Sequence, residues 1–157
     1  MIGILHTTES DPGTGEAVNG FFGNNPGSRP HVLVDPTTAR SWVYFNPGSG
    51  AKALANKPGG VETNNRIGGV YQVEIVGRAA DIGGYSDEWY SVLRWQLRSL
   101  SDLAGVAYEF HPDHTRLTFD EWRDPDLRGW YGHCHVPEND HWDPGTIDYT
   151  RLIDFLQ

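Results

Sequence analysis

Short apolar runs, separated by glycine, proline and polar residues, set the rhythm of this chain and predict strands interleaved with helices. Ile2 to Leu5 reads as a buried strand that opens the sheet. Glu16 to Phe22 is a short helix candidate with Ala17, Val18, Phe21 and Phe22 on one face. His31 to Val34 is a second strand, turned by Asp35-Pro36, and Ser41 to Phe45 is its hairpin partner. Val70 to Gly77 is the strongest central strand, with Val70, Gln72, Glu74 and Val76 on one face and Tyr71, Val73 and Ile75 on the other.

Ser86 suits the N-cap of a long helix with Asp87 and Glu88 in its first turn. Trp89, Val92, Leu93, Leu97, Leu100 and Ala104 recur at helical spacing, and Gly105 suits its C-terminal cap. Tyr108 to Arg128 is irregular; His111 and His114 lie there at a metal-ligand spacing that no neighbour supports, so the segment reads as a solvated loop. Arg128 to Tyr131 leads into a final strand end, and Tyr149, Leu152, Ile153 and Leu156 predict an amphipathic closing helix. Four or five strands with three helices make an α/β domain, a central mixed β-sheet flanked by helices.

Two features break this pattern in a way that matters for chemistry. Glu74 is a carboxylate inside an otherwise apolar strand, where burial without a partner is costly. It is either half-wet or aimed at a reacting group. Residues 46–69 carry eight glycines and prolines, a long loop of the kind that often serves function.

At 157 residues the chain is one domain's worth. Lys and Arg number 12 against 21 Asp and Glu, a net charge of -9. That argues against nucleic acid as the main partner and against an anionic membrane surface. Cys134 is the single cysteine, so no intrachain disulfide can form. No apolar run approaches a membrane span, so no membrane insertion is expected, and the start has neither a basic region nor a cleavage site of a signal peptide.

The densest chemistry lies in Gly132 to Gly145, which holds His133, His135, His141, Cys134, Glu138, Asp140 and Asp143 and ends in Asp-Pro-Gly, a turn sequence. Imidazole, thiolate and carboxylate are the groups that bind zinc, and catalytic zinc keeps three protein ligands with one open position. The candidates are His6, at the end of the first strand, with His133, His135, His141 and Asp143. In an extended segment His133 and His135 would share a face as an H-x-H pair; the competing set joins His6, His133 and Asp143. Spacing leaves both open. Trp130 and Trp142 flank the candidate site and suit either sugar stacking or core burial, and Cys134 reads as a small buried residue rather than a nucleophile.

Five segments fall in a recognisable order: Ile4-Leu5-His6-Thr7-Thr8, Ser28 to Asp35, Asn64-Asn65, Val73 to Gly77, and Gly132-His133 through Trp142-Asp143-Pro144-Gly145. Through them, nearly the whole chain resembles the type-2 N-acetylmuramoyl-L-alanine amidases. These are the zinc peptidoglycan amidases of phage endolysins, bacteria and peptidoglycan recognition proteins. The final motif is the most specific. The resemblance implies an amidase-2, peptidoglycan-recognition-protein-like fold and a Zn2+ cofactor held by His6, His133 and Asp143. It implies Glu74 as the glutamate beside the attacking water. It sets His141 where many members have a lysine that stabilises the oxyanion. Pro30 departs from members with a tyrosine before the second-strand histidine.

The implied activity is hydrolysis of the amide between N-acetylmuramic acid and L-alanine, with peptidoglycan as substrate and partner. Residues 1–157 would form a single catalytic domain, either a compact amidase or one domain of a larger lysin, expected as a monomer. Without a signal peptide it would be made in the cytoplasm and act on the bacterial wall after release. Two rivals remain at this level: a peptidoglycan-binding module without catalysis, and a zinc peptidase that cuts within the stem peptide.

Overall fold

The computed structural model describes residues 1–153. Five strands form one mixed sheet: β1 (Ile2–Thr7), β2 (Val32–Asp35), β3 (Arg40–Val43), β4 (Val70–Ile75) and β5 (Gly129–Gly132), in the order β3-β2-β4-β1-β5. β2, β4, β1 and β5 run parallel, and β3 returns antiparallel to β2 as the edge hairpin. The α/β class and the central position of the Val70 strand agree with the sequence pattern.

One face of the sheet packs against α2 (Asp87–Ala104), where Leu5, Val34, Tyr71, Val73 and Ile75 meet Trp89, Leu93 and Leu97. Burying each such side chain is worth about 1.5–3 kcal/mol. The helix starts where Ser86 Oγ accepts the Trp89 N–H at 3.2 Å and stops at Gly105, which takes φ 67°. Gln96, buried among the apolar positions, donates to Arg40 O at 3.0 Å and so ties the helix to β3.

The other face carries Ile2, Ile4 and His6 of β1 beside Val70, Gln72 and Glu74 of β4, because partners in a parallel register point the same way. It is covered mostly by loop chain, together with two short helices. Leu54, Val61 and Trp122 pack over Ile2, Ile4 and Val70. Gln72 explains how a long loop holds this place: its Oε1 accepts the Ala53 N–H at 2.8 Å and its Nε2 donates to Asn64 Oδ1 at 3.1 Å, while Asn64 clasps Leu54 through N and O. Arg66 reaches Trp122 O, Ile67 O and Asp124 O from the same loop.

Three expectations change. Helix α1 (Gly15–Asn24) buries Phe22 and half-buries Val18 against Leu33 and Val76, but Ala17 and Phe21 face outward. The region 108–128 contains a short helix, α3 (Phe119–Arg123), started by a capping box in which Thr118 and Glu121 bond each other's backbone. The chain after Asp148 forms a 3-10 turn at Tyr149–Arg151 rather than the first turn of an α-helix; Leu156 of the predicted helix lies outside the described residues.

Candidate metal centre

His6 is the next-to-last residue of the buried strand β1, and in the parallel register it stands beside Glu74 of β4. Leu5 pairs with Gly132, so the chain leaving β5 arrives next to His6 and delivers His133 to it. The segment then turns back through Asp143–Pro144–Gly145. Gly145 takes φ 60°, and a Cβ there would stand 2.3 Å from Ala79 O, a place that only glycine fits. The turn presents Asp143 to the two histidines, and the Thr7 N–H donates to its Oδ2 at 3.2 Å.

The result is a buried triad. His6 Nδ1 lies 3.1 Å from His133 Nδ1 and 3.7 Å from Asp143 Oδ2, and His133 Nδ1 lies 3.3 Å from Asp143 Oδ1. Three ligand atoms each bound at 2.0–2.2 Å to one tetrahedral ion stand roughly 3.3 Å apart, so the spacing suits such an ion. His6, His133 and Asp143 could hold a metal ion. Two imidazoles and one carboxylate also fill only three positions, leaving a fourth for a small ligand.

Electrostatics agree with a cation-ready site. Burial, with His133 adding to it, lowers the His6 pKa to about 3, so its ring is neutral and able to coordinate. Burial alone would raise Asp143, but the His133 and His6 imidazoles and the Thr7 N–H outweigh it and hold the carboxyl below its usual range.

His135 is turned out of this group. Residues 133–135 form a 3-10 turn, not an extended segment, so the two histidines do not share a face. The Gly132 N–H donates to His135 Nδ1 at 2.9 Å, which occupies that lone pair, and Nε2 faces Asp113 Oδ1 at 3.3 Å. Of the two ligand sets left open by spacing, the geometry assembles His6, His133 and Asp143. His111 stacks on Tyr131 at 4.0 Å, its Nε2 meets Arg128 O at 3.2 Å, and His114 is exposed.

Glu74 borders the same cavity of about 350 Å³ as the triad. The residue is partly exposed, yet its Oε2 is sealed from solvent without a hydrogen-bond partner among the described residues. Burial, with Asp143 and Glu9 nearby, raises its pKa well above the carboxylate range. A cation held by the triad would draw that value back down. His141 stacks on His133 at 4.3 Å with an interplanar angle of 9°, and its side chain is 62 % exposed at the cavity mouth. Its Nδ1 is 3.7 Å from Asp143 Oδ1, too far for a hydrogen bond.

The two tryptophans part company: Trp142 is 53 % exposed beside the triad, whereas Trp130 is buried on the α2 side with its Nε1–H on Ser101 Oγ. Cys134 is buried, and desolvation lifts its thiol to about 11, which leaves it unreactive. A second cavity of about 640 Å³ adjoins the first, sharing Thr7, Ala53, Ala55 and Glu74, and continues past Phe21, Phe22 and Lys52. Together they make one groove across the ends of the parallel strands.

Two residues of the site escaped sequence reasoning. Glu9, at φ 53°, accepts from Thr7 Oγ1 at 2.7 Å and from the Ala79 N–H at 3.0 Å, and brings a third carboxylate to the cavity. Asn139 meets His133 Nε2 through its Oδ1 at 2.9 Å. Each sits in a polar loop whose composition looks like ordinary turn chemistry. Comparison with protein-family models, curated proteins and solved structures finds no match to this chain.

Proposed function

We propose that the protein is a zinc-dependent hydrolase of peptidoglycan that cleaves the amide between N-acetylmuramic acid and L-alanine, with the amidase-2 fold implied by its motifs. The observation that carries this reading is the convergence of His6, His133 and Asp143 beside a desolvated Glu74 in an open groove. The donor set of two imidazoles and one carboxylate with one position left open suits catalytic zinc rather than a closed structural site. The family motifs supply the substrate.

Zinc bound there would polarise the scissile carbonyl and make water a nucleophile near neutral pH. The chain's own residues supply the rest. Glu74 accepts the proton of the attacking water and passes it to the leaving amine, a role typically worth about 10²–10⁴-fold. His141, exposed at the mouth and held by stacking on His133, donates to the developing oxyanion. Thr7 N–H and Asn139 keep Asp143 and His133 in place during the reaction. The groove beyond Glu74, with apolar Phe21 and Phe22 and the cationic Lys52, has room for the strand of substrate on either side of the scissile bond.

Digestion of purified peptidoglycan with and without a chelator tests this function. The expected result is chelator-sensitive release of L-alanine amino termini without new reducing sugar ends. Termini from further along the stem peptide would replace the amidase with a peptidase. Intact wall with retained binding would leave a recognition module.

A further inference from the structure

Asn139 lies in the turn between β5 and Asp143, and its side chain is buried. Its Nδ2 donates to Ala55 O at 3.2 Å and to Pro137 O at 3.0 Å; its Oδ1 accepts the Ala55 N–H at 2.9 Å and faces His133 Nε2 at 2.9 Å. A carbonyl can only accept and a backbone N–H can only donate. These three backbone partners therefore fix which end of the amide is oxygen. Opposite that oxygen, His133 Nε2 must carry a proton. A neutral imidazole has one N–H, so the lone pair is on Nδ1, the atom that faces His6 and Asp143.

We propose that Asn139 is a positioning residue of the metal centre: it holds His133 in the Nε2–H tautomer, with the Nδ1 lone pair aimed at the metal position. The same amide binds the groove wall to that ligand. Ala55, which Asn139 grips through both N and O, lines both halves of the groove. The surrounding turn is fastened independently: the Arg116 guanidinium donates to Asn139 O at 2.7 Å, and Glu138 Oε2 accepts the Val61 N–H at 3.0 Å. Removing the Asn139 amide would therefore free the imidazole without releasing the whole turn. Groups that orient a metal-bound histidine are typically worth about 10–100-fold in metal affinity.

This proposal rests on the metal reading of the triad, and its test keeps the two apart. The tautomer of His133 is read by long-range ¹H–¹⁵N correlation in the metal-free protein at pH 8.5, and zinc affinity by competition with a chromophoric chelator. The unsubstituted chain should show His133 as a single Nε2–H tautomer. Asn139→Ala should give a tautomer mixture and about 10–100-fold weaker zinc binding. Asn139→Asp, which keeps an acceptor for Nε2–H but loses both donors, should restore the tautomer and most of the zinc affinity in a less stable protein. An Nδ1–H tautomer in the unsubstituted chain would overturn the proposal. So would Asn139→Ala with unchanged tautomer and zinc affinity within twofold. An Nε2–H tautomer in a chain that binds no zinc would overturn the metal reading instead.

Discussion

At Glu74 the strand pattern, the register and the electrostatics meet in one side chain. It occupies a position that the β4 alternation assigns to the same face as Gln72, and both are polar. Gln72 spends its amide on the loop, whereas Glu74 has a sealed oxygen with no partner among the described residues. Glu74→Gln should keep zinc bound while removing most hydrolytic activity, about 10²-fold or more; full turnover in that variant would remove Glu74 from the mechanism. A second prediction concerns stability without metal. The folded-state pKa of Glu74 is raised, so its contribution is fully present below the unfolded value near 4.5 and is lost as pH rises toward the folded value. Urea midpoints of Glu74→Gln and the unsubstituted protein, compared from pH 4 to 8 without metal, should therefore shift in favour of the variant as pH rises. Parallel curves would contradict the burial of this carboxyl. Glu74 was legible in the sequence as the wrong residue for an apolar strand. Asn139 was not, because an asparagine between Glu138 and Asp140 looks like a turn residue until its four partners are known.

Elements with strong local signals agree with the sequence reading, and those set by distant contacts do not. The long helix is legible from Ser86 to Gly105 because its cap, apolar stripe and terminal glycine are all local. Residues 133–135 read as extended, which would have paired His133 with His135; they instead curl into a 3-10 turn, with the Cys134 N–H on Asp143 O at 3.0 Å. That tertiary contact has no local signature. The Thr118–Glu121 capping box is local as well, but it opens a helix of only five residues inside a segment that reads as a solvated loop. Gly145 gives the element-scale prediction. Its left-handed φ and the 2.3 Å approach of an added Cβ to Ala79 O mean that Gly145→Ala must move the turn that carries Asp143. The expected cost is about 1–3 kcal/mol in denaturant unfolding, with weaker zinc binding in the same variant. Loss of stability with unchanged zinc affinity would separate the turn from the ligand.

Across the whole molecule, the site follows from how the sheet is wound. Parallel strands β4, β1 and β5 bring Glu74, His6 and His133 to their C-terminal ends on one face, where open α/β sheets gather their ligands. The opposite face is closed by α2, so the groove can open only on the side walled by loop 44–69 and α1. A metal that binds only the folded chain should stabilise it by about 2.7 kcal/mol at a free concentration a hundredfold above its dissociation constant. Thermal unfolding should show a rise in Tm with zinc that a chelator reverses; a Tm indifferent to both would speak against a folded-state metal site.

Whether His6, His133 and Asp143 form one metal centre is read from metal content after equilibrium dialysis against zinc. The unsubstituted protein should retain about one equivalent, Asp143→Ala should lose it, and His135→Ala should keep it. Retention by Asp143→Ala with loss in His135→Ala would rule out this triad and move the centre to the His133–His135 pair.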